Sequence, residues 1–176
     1  KFFTKGGSGG TVVLQEDWFG RVKLATGVSP SMASLIYKQA HFDIGLNPKM
    51  EASIYAQTIT ACYIFVGFVS AAITTKATMP TIYAGWEFDS VVDAANWYMV
   101  SSINAHAGEK KLDSGVDLVA TTFVKLFLDL TDASNPQFCL ADYNLTGAAI
   151  SPGAMSGIVY PFVYIAVKLD DGGPLF

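Results

Sequence analysis

A long stretch without charge constrains the fold of this chain more than any other feature. From Ala52 to Thr75 there is no Asp, Glu, Lys or Arg. A membrane-spanning helix needs about 20 mainly apolar residues, but glutamine, threonine and serine interrupt this stretch at both ends. Its middle, from Tyr63 to Val69, is aromatic and β-branched, which favours a strand. No cluster of lysine or arginine flanks it. We therefore predict a long buried strand and no membrane association.

Similar apolar runs, bounded by glycine, proline and asparagine, predict about eight strands. They lie near residues 11–24, 35–46, 62–73, 81–88, 97–103, 118–130, 138–150 and 157–169. A helix is predicted from Met50 to Ile59, with Asn47 as its cap and Pro48 at its first position. The polar segment from Asn104 to Ser114 predicts a surface loop. Because strands and helices do not alternate, the chain should form an antiparallel sandwich, barrel or jelly roll.

The length of 176 residues fits one domain. Residues 1–10, KFFTKGGSGG, are rich in glycine and predict a flexible N-terminal arm. Residues 11–170 hold all the predicted strands and should form the folded domain. Residues 171–176 have no periodicity and predict a C-terminal tail. No secretory signal peptide is recognisable at the start, because the first residues contain no apolar core.

The charge content points to extensive burial of the surface. Only 15% of the residues are charged, whereas ordinary domains have about 25%. The formal net charge is −4, which argues against nucleic-acid binding by the domain as a whole. Two cysteines are too few for a disulfide framework. A low charge together with 13% aromatic residues predicts a subunit covered by identical copies in a closed assembly.

Motifs for catalysis are not recognisable in the sequence. There is no G-x-S-x-G, H-E-x-x-H, C-x-x-C or phosphate-binding loop. The two histidines, His41 and His106, lie in separate segments, which disfavours a histidine-based metal centre. On these grounds we expect the protein not to be an enzyme.

One acidic constellation is a candidate metal site. Glu87 and Asp89 are two residues apart on a predicted strand and should project from the same face; Asp93 follows in the next loop. Such oxygen ligands suit Ca²⁺, with water or a neighbouring chain completing its shell. The alternative is a solvated acidic loop. Calcium is the only cofactor that the sequence indicates.

The order of these features resembles the shell domain of small icosahedral RNA-virus coat proteins of the tombusvirus and sobemovirus type. Four stretches carry the resemblance: Gly10 to Val22; Leu46-Asn-Pro48 and the apolar stretch that ends at Thr75; Tyr83 to Asp89 with Asp93-Ala-Ala95; and Ala141 to Gly147 with Gly157 to Leu169. The resemblance implies an all-β fold, namely an eight-stranded antiparallel jelly-roll sandwich with one or two short helices. It also implies Ca²⁺ between subunits, near Glu87, Asp89 and Asp93.

As a function, the resemblance implies a non-enzymatic capsid protein. Many identical copies would assemble into an icosahedral shell around RNA, held through an arm upstream of this sequence, and the protein would be located in the virion. Two alternatives stay open: a lectin-like β-sandwich binding module, and a phage tail-tube or decoration subunit.

Overall fold

The computed structural model describes residues 4–6, 11–14, 22–25, 31–36, 42–57, 59–73, 76–92, 96–140, 143–144 and 150–167. The predicted all-β jelly-roll class is confirmed. The strands in this part of the chain are β1 (Thr4–Gly6), β2 (Thr11–Leu14), β3 (Val22–Ala25), β4 (Ser31–Ile36), β5 (Phe42–Asp43), β6 (Lys49–Tyr55), β7 (Cys62–Val69), β8 (Tyr83–Asp89), β9 (Asn96–Ser102), β10 (Lys110–Asp117), β11 (Phe123–Asp129), β12 (Gln137–Leu140), β13 (Tyr143–Asn144) and β14 (Ile158–Val167). Two short 3₁₀ helices, Ile44–Leu46 and Lys76–Thr78, complete the described elements.

The strands form two main sheets. The large sheet has the order β1-β4-β14-β7-β8-β9-β10, with β5 paired to the start of β14. The small sheet has the order β13-β12-β11-β6, and β2 and β3 form a separate two-stranded ribbon. Every pairing between these strands is antiparallel. Part of the predicted arm, residues 4–6, is β1, and the predicted domain boundaries stay predictions.

The main core lies between the two sheets. The large sheet contributes aromatic and aliphatic side chains to it, and the small sheet contributes leucines and a phenylalanine. Its members on the paired strands include Val66, Phe68, Trp86, Phe88, Trp97, Met99, Leu126, Leu128, Phe138 and Leu140. Trp86 joins the layers directly, since its indole N–H donates to the carbonyl of Phe127 at 3.1 Å. Its ring also meets that of Phe138 edge-on, with centroids 5.4 Å apart.

The large sheet is also buried on its other face. Every residue of β7 and β8 is buried, although successive side chains of a strand point to opposite faces. A second cluster, which includes Tyr63, Phe65 and Tyr83, packs on the face turned away from the small sheet. The scarcity of charge is therefore explained by burial on both faces within one chain. This removes the physical reason for expecting a cover of identical copies.

The predicted helix from Met50 to Ile59 is wrong, because residues 49–55 form β6. Local capping signals favoured a helix, but seven consecutive residues of β6 pair with β11. The side chains of β6 alternate between exposed and half-buried positions, as on a sheet with one face in the core. Asn47 ends the preceding 3₁₀ helix in a left-handed conformation, with φ 56°, instead of capping a helix that follows.

The predicted loop from Asn104 to Ser114 is wrong in its second half, where β10 begins at Lys110. This strand is at the edge of the large sheet, and most of its side chains are exposed. An edge strand can be polar and charged, since it borders solvent. Its composition therefore predicted a loop although its backbone pairs with β9.

Proline within a strand is tolerated where its missing N–H is not required. Pro161 lies in β14 opposite Phe68 of β7. On the other side of β14, pairing with β5 ends at Val159 and pairing with β4 begins at Phe162. Pro161 thus occupies the gap between these two ladders, where its missing N–H is not required. Among the described residues, none of the helices has the length and apolar character to cross a membrane.

Candidate functional site

The candidate site lies on the face of the large sheet that is turned away from the small sheet. We call it the tyrosine face and define it by Tyr63, Phe65, Tyr83, Glu87 and Tyr98. Register places these side chains together: Glu87 of β8 is opposite Phe65 of β7 and Tyr98 of β9. Because β8 lies between β7 and β9, Glu87 is in the interior of the sheet.

Glu87 is a buried carboxylate with two donors. Its side chain is 2% exposed. The phenol of Tyr63 donates to Oε2 at 3.1 Å, and the ammonium group of Lys111 lies 2.5 Å from Oε1. The same ammonium group lies 4.5 Å from the ring centroid of Tyr98, within the range of a cation–π interaction. A buried charge requires such partners, since desolvation without them is costly.

A second carboxylate, Glu109, lies just before β10. The Tyr83 hydroxyl donates to its Oε2, and the Nδ1 atom of His106 lies 3.3 Å from the same oxygen. The Glu109 side chain is 19% exposed and that of His106 is 42% exposed. This end of the tyrosine face therefore reaches solvent, whereas Glu87 lies deeper.

Both carboxylates act electrostatically on the same tyrosines. Burial is the main cause that raises the pKa of Tyr63 well above its ordinary value, and the charges of Glu87 and Glu109 add to it. Burial also raises the pKa of Tyr83, followed by its hydrogen bond to Glu109 and the charges of both glutamates. Tyr63 and Tyr83 are thus neutral hydrogen-bond donors, Tyr63 to Glu87 and Tyr83 to Glu109.

Alkaline pH should destabilise the protein through these two phenols. A group whose pKa is raised in the folded state stabilises the fold at pH values below its pKa in the unfolded state, which is about 10 for tyrosine. This stabilisation is lost as the pH rises from there towards the pKa of the folded state. We expect the free energy of unfolding to fall above pH 10 and to fall less steeply in Tyr63→Phe. Urea unfolding between pH 8 and 11 measures this, with the exposed Tyr55→Phe as control. Equal slopes for wild type and Tyr63→Phe would contradict the assignment.

The acidic constellation is only partly described. Glu87 and Asp89 project from the same face, as predicted, and Asp89 is fully buried. Asp89 Oδ1 accepts a hydrogen bond from the Val91 N–H at 3.0 Å. Asp93 lies outside the described residues. In the part of the chain that the structure describes, no three His, Cys, Asp or Glu residues group as metal ligands. Calcium binding by Glu87, Asp89 and Asp93 stays a prediction.

The sequence did not single out the other polar members of the site, Tyr63, Tyr83, Glu109 and Lys111. Tyr63 and Lys111 are each 24 residues from Glu87 along the chain, and only strand pairing brings them together. The polar sequence around Lys111 predicts a loop, and a loop gives its side chain no predicted direction. A usable signal for Tyr83 is the period-two alternation of β8, which puts Tyr83 on the same face as Glu87 and Asp89.

No family model and no curated protein matches the sequence, whereas the fold is similar to several solved structures. One is a mixed-linkage glucan glycoside hydrolase of family 16 from Bacteroides ovatus in complex with an oligosaccharide product. It has 12% identity and a TM-score of 0.59, and the match covers 95% of this chain and 81% of that one. A family 16 endo-glucanase from the same organism has 11% identity and a TM-score of 0.57, and the match covers 98% of this chain and 84% of that one. LamAcat from Zobellia galactanivorans has 14% identity and a TM-score of 0.51, and the match covers 99% of this chain and 70% of that one.

These findings contradict the functional expectations drawn from the coat-protein resemblance. The similar folds belong to glycoside hydrolases and not to viral coat proteins. The prediction of an icosahedral capsid subunit that packages RNA in many copies is therefore wrong, as is the predicted location in a virion. The expectation of a protein without enzymatic activity is contradicted by the same comparison. The strand order that suggested a coat protein belongs to a jelly-roll architecture that these enzymes share.

Proposed function

We propose that the protein is a carbohydrate-active enzyme that hydrolyses glycosidic bonds in a glucan, with Glu87 and Glu109 as its pair of carboxyl groups. One observation carries the proposal: two glutamates lie on the same tyrosine-lined face of the large sheet and act on the same two phenols. Most glycoside hydrolases use two Asp or Glu residues that flank the bond to be broken. Support also comes from the similar folds, which include glucan-cleaving enzymes.

The surroundings of the two carboxyl groups suit different roles. Lys111 and Tyr63 both donate to Glu87, and these charge-assisted hydrogen bonds fix the position of its carboxyl group. Glu87 would therefore be the nucleophile or base on the sugar carbon. Glu109 reaches solvent and contacts the titratable His106. It would give a proton to the leaving oxygen as the carbon–oxygen bond breaks, and water would supply the new hydroxyl group.

Hydrolysis of a defined set of polysaccharides tests the proposal. Purified protein is incubated with mixed-linkage glucan, cellulose, xylan and starch, and the products are followed by reducing-end assay and chromatography. We expect cleavage of a glucan, and a fall in kcat of roughly 100- to 10,000-fold in Glu87→Gln and in Glu109→Gln. The matched control is Glu51→Gln on the small sheet, whose carboxylate is 63% exposed and lies 3.8 Å from Lys125.

The outcomes separate the possible functions. Loss of activity in both site variants, with full activity in Glu51→Gln, supports the assignment. Thermal melts check that each variant is folded at the assay temperature. Binding of a glucan without cleavage by the wild type would contradict the enzymatic role and leave a carbohydrate-binding protein. If the wild type neither binds nor cleaves any of these polysaccharides, the proposal is wrong.

A further inference from the structure

We propose that Tyr55 and Phe123, which we call the aromatic pair, form a second carbohydrate-binding site on the side of the sandwich opposite the tyrosine face. Their side chains are 47% and 52% exposed. The ring centroids lie 5.0 Å apart, and the ring planes are tilted by 48°. This inference rests on the proposed function for the class of its ligand, which is a glucan.

Strand register places the aromatic pair on the outer face of the small sheet. Tyr55 is opposite Phe123 in the pairing of β6 with β11. Their strand neighbours Ile54 and Val124 pack against the core between the sheets, and successive side chains of a strand point to opposite faces. Tyr55 and Phe123 therefore point away from the large sheet, so a sugar ring bound to them does not occupy the tyrosine face.

The backbone fixes the aromatic pair at this end of the small sheet. The Thr121 N–H donates to the carbonyl of Ala56 at 2.8 Å, which ties the segment before Phe123 to the residue after Tyr55. Thr121 has φ 60°, a left-handed conformation that is an outlier for a β-branched residue. Strained residues of this kind persist where the surrounding structure holds them, and they cluster at functional sites. The two rings are thus positioned before a ligand binds.

The exposed area of the aromatic pair fits a narrow ligand. Because a fully covered aromatic side chain buries about 150–250 Å², two half-exposed rings offer roughly 200 Å². A stable protein interface needs about 800 Å² on each partner, so this area is too small to hold a second copy of the chain. One side of a glucose ring consists mainly of C–H groups, and the negative face of an aromatic ring attracts their hydrogens.

The charges on the same face favour a neutral ligand. Lys49 lies 2.7 Å from Asp129, and Lys125 lies 3.8 Å from Glu51. The described residues of β6 and β11 on this face therefore carry no excess charge of either sign. A nucleic acid or an anionic lipid surface is bound through an excess of basic residues, whereas a glucan is uncharged. Charge and size together select a sugar chain as the occupant.

Affinity electrophoresis in gels that contain mixed-linkage glucan tests this site. We expect the glucan to retard the wild type, and its apparent affinity to fall at least about fivefold in Tyr55→Ala/Phe123→Ala. Tyr55→Phe keeps the ring and should stay within about twofold of the wild type. The matched control is Leu46→Ala, which removes an apolar side chain that is 79% exposed and precedes the other end of β6. Equal retardation of the wild type and the double variant would overturn the inference.

Kinetics on long and short substrates separate the aromatic pair from the tyrosine face. In the double variant, the apparent KM for the polysaccharide should rise, because a second site no longer raises the local concentration of the chain. A short glucan oligosaccharide cannot reach both faces at once, so its kcat and KM should not change. A lower kcat on the oligosaccharide would show that the substitutions act on the tyrosine face, which contradicts a separate site.

The binding measurement also keeps this inference apart from the proposed function. If the wild type cleaves no polysaccharide but is retarded by glucan through the aromatic pair, the proposed function fails and the second site is supported. If the wild type cleaves a glucan while the aromatic pair does not affect retardation, the second site is wrong and the proposed function stands.

Two measurements on the wild type do not depend on whether the variants fold. On addition of the glucan oligosaccharide, the backbone amide NMR signals near Tyr55 and Phe123 should shift. Shifts confined to the tyrosine face would overturn the inference. Light scattering at micromolar concentration should show a monomer. A dimer with the aromatic pair in its interface would mean that a second copy occupies this face, which also overturns the inference.

Discussion

Replacement of Gly67 by alanine is expected to destabilise the protein by more than about 4 kcal/mol, a large part of the roughly 5–15 kcal/mol that stabilises an ordinary domain. Gly67 of β7 is paired with Gly85 of β8 in the interior of the large sheet. A Cβ atom on Gly67 would lie 2.2 Å from the carbonyl oxygen of Ala84 and 2.5 Å from the Cα atom of Gly85. Both are backbone atoms, so relief of the clash requires the two strands to separate. Such a separation would break the ladder that positions Glu87.

Soluble yield, circular dichroism and urea unfolding measure the effect of Gly67→Ala. The matched control is Gly45→Ala, because Gly45 is exposed in the first 3₁₀ helix and its Cβ would approach a side-chain oxygen of Asp43 at 3.3 Å. That side chain can move, so we expect a change below about 1 kcal/mol. A folded Gly67→Ala variant with a stability near that of Gly45→Ala would contradict the close approach of β7 and β8.

Truncation of Trp86 should have the second-largest effect on stability. The side chain is fully buried, donates to the Phe127 carbonyl at 3.1 Å and packs edge-on against Phe138. It thereby fastens the large sheet to the small sheet. Trp86→Ala should lower the free energy of unfolding by about 3–5 kcal/mol, because it leaves a large cavity. It also leaves the Phe127 carbonyl without this donor.

Comparison with Trp86→Phe separates the two contributions. Phenylalanine refills part of the volume but cannot donate a hydrogen bond, so we expect an intermediate loss of about 1–3 kcal/mol. Val91→Ala is the control, since Val91 is 57% exposed in the turn after β8 and should change stability by less than about 0.5 kcal/mol. Chemical unfolding of the wild type, Trp86→Ala, Trp86→Phe and Val91→Ala measures the order of their free energies of unfolding. A loss below 1 kcal/mol in Trp86→Ala would show that this contact between the sheets is absent.

The fold class could be predicted because period-two alternation and turn residues report directly on strands. The central strands β7 and β8 could be predicted because both are long apolar runs; the predicted bounds agree within two residues for β8, and for β7 the predicted start is correct but the predicted end lies four residues too late. β6 was missed because the local helix signals of Asn47 and Pro48 are stronger than its weak alternation, and pairing with β11 decides its structure. Local sequence contains no information about such a partner.

The candidate site could be predicted only in part, for the same reason. The alternation of β8 placed Glu87 and Asp89 on one face, and the structure confirms this. The residues that give Glu87 its chemical surroundings come from β7, β9 and β10. β10 carries the lysine and is an exposed edge strand without an apolar pattern. Its register with β9 follows from tertiary pairing, so a contact between Lys111 and Glu87 could not be derived from spacing.

The position of β14 has a consequence for synthesis on the ribosome. This strand, residues 158–167, lies between β4 and β7, which are far earlier in the chain. A nascent chain can pair β1 with β4 and β7 with β8 and β9 early, but β4 and β7 have to wait for β14, which lies between them, until residue 167 has left the exit tunnel. Contacts so distant along the chain form slowly, and the open edge of β7 stays available for wrong pairing meanwhile. Translation speed and chaperone access should therefore affect the yield of this protein more than that of a domain built from local hairpins.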